Sequence, residues 1–394
     1  MAEYDLAIVG GGMVGSSLAL LCARANPHWR IALIDPQPAQ AGQVPERPSF
    51  DARATALSAG TAAYLDKLAV WQDLEAAAAP IRRVHISDKG YLPGQKIDAA
   101  ELAVKALGYV VPNQHLGLAL SSALAQRTGI EAVTDKVSQL TFVPDSAQIS
   151  LEGGAGISAK LVAIADGADS PLCKVLGIGQ RQRHYQQRAV IANVRVSKAH
   201  NNIAYERFTD EGPLALLPLA ATHEMALVWT QPTLAPDRTR LPETVFLQQL
   251  QQRFGHRLGR FEAVSERFSY PLQLRQVDEQ WRSRLVIVGN AAHSLHPVAG
   301  QGFNLSLRDC AVLADCVQGV ADPGAAQVLS AYSQKRQQDQ LLTTELSHAM
   351  VKLFSSRNPV LVSARHIGLL GLELFAPLKG AFTQQMMGGQ SGAA

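Results

Sequence analysis

The sequence predicts an α/β protein in which parallel strands alternate with helices, and three observations predict it. The apolar run at residues 4–9 leads at once into Gly10-Gly-Gly-Met-Val-Gly15, then an apolar helical stretch over 16–24 and a second apolar run at 30–34 that ends in Asp35. Two later apolar runs, at 161–165 and 284–288, each lead straight into a glycine-bearing turn. Finally, 394 residues with 47% hydrophobic content suffice for two or three structural units around large cores.

The first motif has a physical reading. A strand, a G-x-G-x-x-G turn, a helix, a second strand and an acid follow one another in the order of a dinucleotide-binding βαβ unit. Gly10 allows the tight turn, Gly12 lets the backbone approach a pyrophosphate, and Gly15 packs helix against strand. The helix start presents unpaired N–H groups to the phosphates. Asp35 stands where a carboxylate accepts from ribose hydroxyls. The loop alone does not separate NAD from FAD.

The second motif is the turn Asp166-Gly-Ala-Asp-Ser170 after the run at 161–165. The third follows the run at 284–288 and reads Gly289-Asn-Ala-Ala-His-Ser-Leu-His-Pro-Val-Ala-Gly-Gln-Gly-Phe-Asn304. A helix is expected from about 303 to 320, with Leu305, Val312, Leu313 and Val317 on its buried face. Its positive end suits an anionic ring.

Composition excludes other classes. Disorder requires low hydrophobicity and high charge, and only 18% of residues are charged here. A nucleic-acid binder is disfavoured, because 36 basic against 33 acidic residues leave a net charge of +3. Cys22, Cys173, Cys310 and Cys316 contain no Cys-x-x-Cys pair, so neither a disulfide framework nor a metal site is expected, and a reducing compartment fits. Cys310 and Cys316 are expected to be buried in a helix. No basic n-region or cleavage site precedes the first strand, and the apolar stretch at 359–377 is broken by Arg365, His366 and Glu373, so no spanning segment is expected.

With its three motifs in order, the chain resembles the flavoprotein aromatic hydroxylases of the p-hydroxybenzoate hydroxylase fold. The segment Asp51-Ala-Arg-Ala-Thr-Ala-Leu-Ser58 is similar to one in the ubiquinone-biosynthesis branch, in which the arginine, here Arg53, contacts the flavin. Residues 84–90, 189–194, 206–218 and 365–369 extend the likeness to that branch over nearly the whole chain. It departs from the wider family at Asn290, where an aspartate is usual; the amide oxygen can still accept the ribitol hydroxyl's bond, without charge assistance.

The resemblance implies a Rossmann-like FAD-binding domain with an interleaved antiparallel-sheet substrate domain and C-terminal helices. The flavin domain would take residues 1–75, 105–180 and 275–330, and the substrate domain 76–104 and 181–274. Residues 331–387 would form a helical segment and 388–394 a flexible tail. Substrate-domain strands are expected at 189–196, 204–208, 214–217 and 225–230, with a helix at 243–254 over them. Gly153-Gly-Ala-Gly156 reads as a hairpin turn.

The resemblance further implies FAD, with NADPH or NADH as a transient reductant, and hydroxylation of a polyprenylated methoxyphenol by O2 through a flavin C4a-hydroperoxide. The cofactor carries the hard chemistry, so no catalytic triad is expected. The expected cofactor contacts are Gly10, Gly12, Gly15, Asp35, Arg53, Asp166, Gly167, Asn290, Gly300, Gln301, Gly302 and Asn304, with Gln301 and Asn304 read either as flavin contacts or as helix caps. Asn113 or Gln114 are further contacts. His296 either lines the site or shapes its loop, Pro297 forms a rigid wall, and His293 holds the turn by bonding backbone. No phenol-deprotonating base is identifiable. Other ubiquinone-biosynthesis proteins and the inner-membrane surface are the expected partners, the protein being cytoplasmic and peripheral, with the apolar residues of the last segment serving helix packing or docking. The alternatives are a non-catalytic flavin-binding subunit of a ubiquinone-biosynthesis complex, or another FAD enzyme of the fold such as a prenyl reductase. Trp29, Trp71, Trp229 and Trp281 are scattered, which argues against a halogenase.

Overall fold

The computed structural model describes residues 2–38, 42, 53–88, 94–295 and 300–354, the last five as backbone alone. The chain opens with β1 (Ala2–Val9), α1 (Met13–Ala25) and β2 (Ile31–Ile34). Next come β3 (Ala54–Ser58), α2 (Ala59–Lys67), α3 (Trp71–Leu74), β4 (Ala79–Ile81), β5 (Arg83–Asp88) and β6 (Gln95–Asp98). After β7 (Gly108–Pro112), α4 (Asn113–Ala125) and β8 (Ile130–Val133), the meander β9 (Val137–Phe142), β10 (Ala147–Leu151), β11 (Gly156–Ile164) ends in α5 (Pro171–Val175). The long β12 (Gln180–Val196), β13 (Ile203–Thr209), β14 (Gly212–Pro218), β15 (Glu224–Pro232), α6 (Glu243–Phe254), β16 (Phe261–Val264) and β17 (Phe268–Val277) follow. The described part closes with β18 (Trp281–Arg282), β19 (Leu285–Ile287), β20 (His293–Ser294), α7 (Gln301–Val317) and α8 (Ala326–Phe354).

These elements form three sheets. The first runs β18-β19-β11-β1-β2-β8, with β10 paired to β11 and β9 to β10, and its strands β19, β11, β1, β2 and β8 are parallel. Such strands are covered on both faces, which is why β2, β19 and residues 6–9 of β1 are apolar without alternation. On one face Leu6, Ile8, Leu161, Ala163 and Val286 pack with α1, α4 and α7. On the other, Ala7, Val9, Val162, Ile164, Leu285 and Ile287 pack with the β9–β10 pair and α5. Helix α7 lies at the centre of the first layer and is buried almost all round, with Leu305, Leu307, Cys310, Leu313 and Val317 inaccessible. Val312 and Cys316 are only half-buried, a small departure from the expected face.

The second sheet runs β20-β17-β12-β15-β14-β13-β5-β6, antiparallel except for the β13–β5 pair. Helix α6 covers one side. Its Phe246, Leu250 and Phe254, spaced four apart, sit on Val190, Leu214, Leu216, Leu227 and Trp229. The third sheet, β3-β7-β4, lies between the other two, since Ala79, Ile81 and Val110 share a core with Ala204 and Ala226 of the second sheet.

The four strands expected in the second sheet appear, three of them slightly longer and β12 beginning nine residues earlier, α6 has the expected bounds, and residues 152–155 turn the β10–β11 hairpin. Two elements cross the expected bounds. Helix α8 runs without a break through residue 330, because Leu329, Tyr332 and Arg336 all bury against the preceding helix layer. Strand β4, placed by sequence in the substrate domain, pairs with β7. Residues 355–394, with the apolar segment and the tail, lie outside the described residues.

Candidate functional site

The three motifs stand at the carboxyl ends of adjacent parallel strands, β1, β11 and β19, where ligands bind in sheets of this type. Gly10 takes a φ of +102°, and a Cβ there would sit 2.5 Å from the Ala165 carbonyl oxygen. The turn after β1 therefore lies directly against the turn after β11, a geometry that only glycine supplies. Gly12 is the extended residue before α1 and has no side chain with which to cap it, so the helix's first N–H groups remain for an anion. Gly15 sits against the Gly10 carbonyl.

Asp35 is buried at the end of β2. Its carboxylate accepts from the Gly11 N–H at 2.7 Å and from the Gln37 N–H at 2.8 Å, so it holds the glycine turn as well as facing the site. Asp166 accepts from the Ser170 hydroxyl at 2.8 Å through Oδ2, while its Oδ1 is buried with no partner. Burial pushes this carboxyl up to about 6. Gly167 beside it has a φ of +98°. Gly289 and Asn290 lie in a short turn after β19, with Gly289 packed on Val14 of α1 and the Asn290 side chain exposed.

The start of α7 completes the arrangement. Gly300 is left-handed, with a φ of +62°, and packs on Ala56. A Cβ at Gly302 would meet open space. Gln301 is buried at the first helical position. Asn304 is used differently from expectation. Its amide donates to the carbonyls of Ala56 and Gly300 at 2.9 and 2.8 Å, and accepts from the Ser58 N–H at 2.9 Å. Both its donors are spent on backbone, so Asn304 pins the glycine loop to β3. The Arg53 guanidinium lies 4.6 Å over the Tyr270 ring of β17, linking the third sheet to the second. Asn113, at the start of α4, is buried and accepts from Thr55 at 2.6 Å. His296 and Pro297 lie outside the described residues.

His293 also departs from expectation. It bonds a side chain, its Nε2 lying 2.6 Å from Asp309 Oδ2 on α7. The other oxygen of Asp309 accepts from Arg336 of α8 at 2.5 Å, and Arg336 and Arg308 share Asp339. His293, Arg308, Asp309 and Arg336 are all buried. Burial opposes ionisation of both acids, but His293 and Arg336 hold Asp309 below the usual carboxylate range, and Arg308 and Arg336 hold Asp339 down to about 2. The network fastens the turn after Gly289 to the helix layer. Sequence reading passed over it, although a charged residue inside the apolar stripe of α7 was its available signal.

On the face of the second sheet opposite α6, partly covered by the third sheet, runs a cross-strand row: Ile86, Glu206, Ala215, Val228, Ile191 and Phe268. All six are half-buried, while their chain neighbours on the α6 side, such as Leu214, Leu227, Trp229 and Val190, are inaccessible. The rows on either side are closed, one by Phe208, Thr230 and Ala189, the other by Ala204 and Ala226. The six residues thus floor a trough that is apolar apart from Glu206.

The model of a family described as an FAD binding domain matches residues 3–344. The chain belongs to this FAD-binding family. The flavoprotein is 35% identical over 393 residues to ubiquinone hydroxylase UbiL of Rhodospirillum rubrum, covering 98% of this chain and 89% of that one. It is 33% identical over 388 residues to 3-demethoxyubiquinol 3-hydroxylase of Escherichia coli, covering 95% and 96%. Its fold is that of p-nitrophenol 4-monooxygenase PnpA from Pseudomonas putida, with a TM-score of 0.79 over the full length of both chains at 22% identity. The flavoprotein is an FAD-dependent hydroxylase of this family. Its structure fits the cofactor: two helix starts whose glycine caps supply no side-chain bond, an Asp166 oxygen without a partner among the described residues, and open space at Gly302.

Proposed function

We propose that this flavoprotein hydroxylates the ring of a polyprenylated methoxyphenol in ubiquinone biosynthesis, using O2 and either NADPH or NADH. The observation that carries the reading is the half-buried row, apolar apart from Glu206, whose Phe268 end lies two residues along β17 from Tyr270 beneath Arg53, which suits a ring with a hydrocarbon tail. Bound FAD supplies the redox chemistry, taking electrons from the nicotinamide and activating oxygen.

The protein's own residues bind, orient and exclude water. Gly10, Gly12 and Gly15, with the start of α1, would carry the pyrophosphate, and Asp35 the ribose. Asp166, Gly167 and Asn290 would hold the ribityl side, and Gly300, Gln301 and Gly302 the ring, above the positive end of α7. Arg53 would contact the flavin from the third sheet. The first and third sheets would form the flavin-binding part, interleaved with the second sheet as the substrate-bearing part.

No helix among the described residues is long and apolar enough to cross a membrane. A lipid-dissolved substrate would reach the trough through peripheral contact at the inner membrane, aided by other ubiquinone-biosynthesis proteins.

The test is direct. The purified protein should be yellow, and anaerobic NADPH or NADH should bleach it faster when a short-chain prenylated methoxyphenol is present. Admitting O2 should then yield a product heavier by one oxygen. Bound FAD that stays oxidised in the presence of substrate would refute the hydroxylase reading in favour of a non-catalytic flavin subunit. The ring position of the new hydroxyl, read by product analysis, fixes the step in the pathway.

A further inference from the structure

We infer that Glu206 is the group that accepts the hydrogen bond of the substrate's phenolic hydroxyl and takes its proton as the ring is hydroxylated. The inference rests on the function proposed above and adds to it the base that sequence reading could not identify.

Strand alternation fixes which way this side chain points. Its neighbours Tyr205 and Arg207 face α6, where Tyr205 stacks edge-on against Phe254 at 5.4 Å and Arg207 donates to the Arg253 carbonyl at 3.0 Å. Glu206 therefore projects from the opposite face, into the trough. There it stands between Ile86 and Ala215, with the apolar row running on to Phe268. Four strand spacings separate Glu206 from Phe268, about 19 Å.

The carboxylate has no ion-pair or hydrogen-bond partner among the described residues. Glu211, only five residues on, shows the contrast: it pairs with both Arg238 and Arg253, at 2.7 and 2.6 Å. An acid in a mostly apolar trough costs stability unless something bonds it, and a phenolic hydroxyl is a donor of the right kind. Among the described residues, the other charged or titratable groups on this side of the sheet are Asp88 on β5, Arg53 at Tyr270, and Glu345 and His348 on α8, where His348 bonds Tyr185. None of them acts on Glu206. Burial alone pushes its carboxyl up to about 7, in the range suited to a base at neutral pH.

The step balances simply. The phenolic O–H bond breaks, the proton bonds to a Glu206 oxygen, and the electron pair left on the phenolic oxygen enriches the ring toward the electrophilic oxygen derived from O2. The attacked carbon bonds to that oxygen as the O–O bond breaks, the second oxygen leaving as water at the expense of the two electrons taken from the nicotinamide. The carbon's own proton then passes to solvent, and Glu206 returns its proton to the phenolic oxygen as aromaticity is restored.

The experiment uses the FAD-loaded protein as wild type, Glu206→Gln and Glu206→Asp. The probes are a short-chain prenylated methoxyphenol and its O-methyl ether, with binding read from the flavin absorbance. Wild-type affinity for the phenol should tighten as pH rises past about 7, while affinity for the ether stays flat. Glu206→Gln should keep its FAD, lose that pH dependence, and lower phenol-dependent kcat by roughly 10²- to 10⁴-fold. Glu206→Asp should restore part of the rate together with the pH limb, which a purely structural role would not do. A Gln variant with wild-type kcat and an unchanged pH profile overturns the assignment. If the wild type binds the phenol with this pH dependence yet hydroxylates nothing, the function proposed above fails while the carboxylate's role in binding stands. Phenol binding insensitive to Glu206 overturns that role as well.

Discussion

Replacing Asp309 with asparagine should loosen the whole helix layer. Asp309 is 1% exposed and accepts from His293 at 2.6 Å and Arg336 at 2.5 Å. The substitution preserves shape but leaves two buried arginines, Arg308 and Arg336, sharing the single carboxylate of Asp339. Removing one partner from a buried charge network costs about 3–5 kcal/mol, because the remaining charge stays desolvated and uncompensated. That is a large part of the 5–15 kcal/mol that ordinarily separates folded from unfolded protein. The effect carries a pH signature. Because the Asp309 carboxyl is held below its ordinary value, its contribution is fully present above the unfolded carboxylate's pKa and is lost as pH falls through the folded one. Urea unfolding at pH 7, followed by tryptophan fluorescence, should show the loss, and the two proteins should converge in acid. The Asp309→Asn variant should also release FAD more readily, since His293 no longer anchors the turn after Gly289. A stability loss below about 1 kcal/mol at pH 7 would refute the reasoning.

Two further outcomes follow from the glycine motifs and the orphan acid. Gly302→Leu should leave the circular dichroism spectrum of the apoprotein unchanged, because its Cβ meets open space, yet abolish the yellow colour; Gly10→Val should disturb both, since its side chain would strike the Ala165 carbonyl. A Gly302→Leu protein that keeps its FAD would contradict the assignment. Asp166, raised to about 6, holds its proton more tightly folded than unfolded, so apoprotein stability should fall as pH rises from about 4 to 6. That component, roughly 3 kcal/mol at most, should vanish in Asp166→Asn, as pH-dependent urea midpoints would reveal.

How much was legible in the sequence varied with the range of the interaction involved. Residues 4–35 announce a nucleotide turn because every requirement there is local: φ at Gly10, absence of a side chain at Gly12, apolarity on both faces of β1. The strands of the second sheet and the bounds of α6 were readable for the same reason, since periodicity and the Gly255 stop lie within the segment. The uses of polar side chains were not. Asn304 read as a cofactor contact or a cap, but its donors go to Ala56, 248 residues away, and to Gly300, and the His293 partner is on α7. Glu206 looks like any polar residue of a half-exposed strand until register sets it between Ile86 and Ala215 in an apolar row. The sequence by itself determined the fold class, the cofactor motifs and the family, because glycine conformations and strand periods are properties of the local chain. Only the tertiary structure decided which polar atoms are spent on the scaffold and which are left for a ligand, because burial and pairing depend on residues hundreds of positions apart.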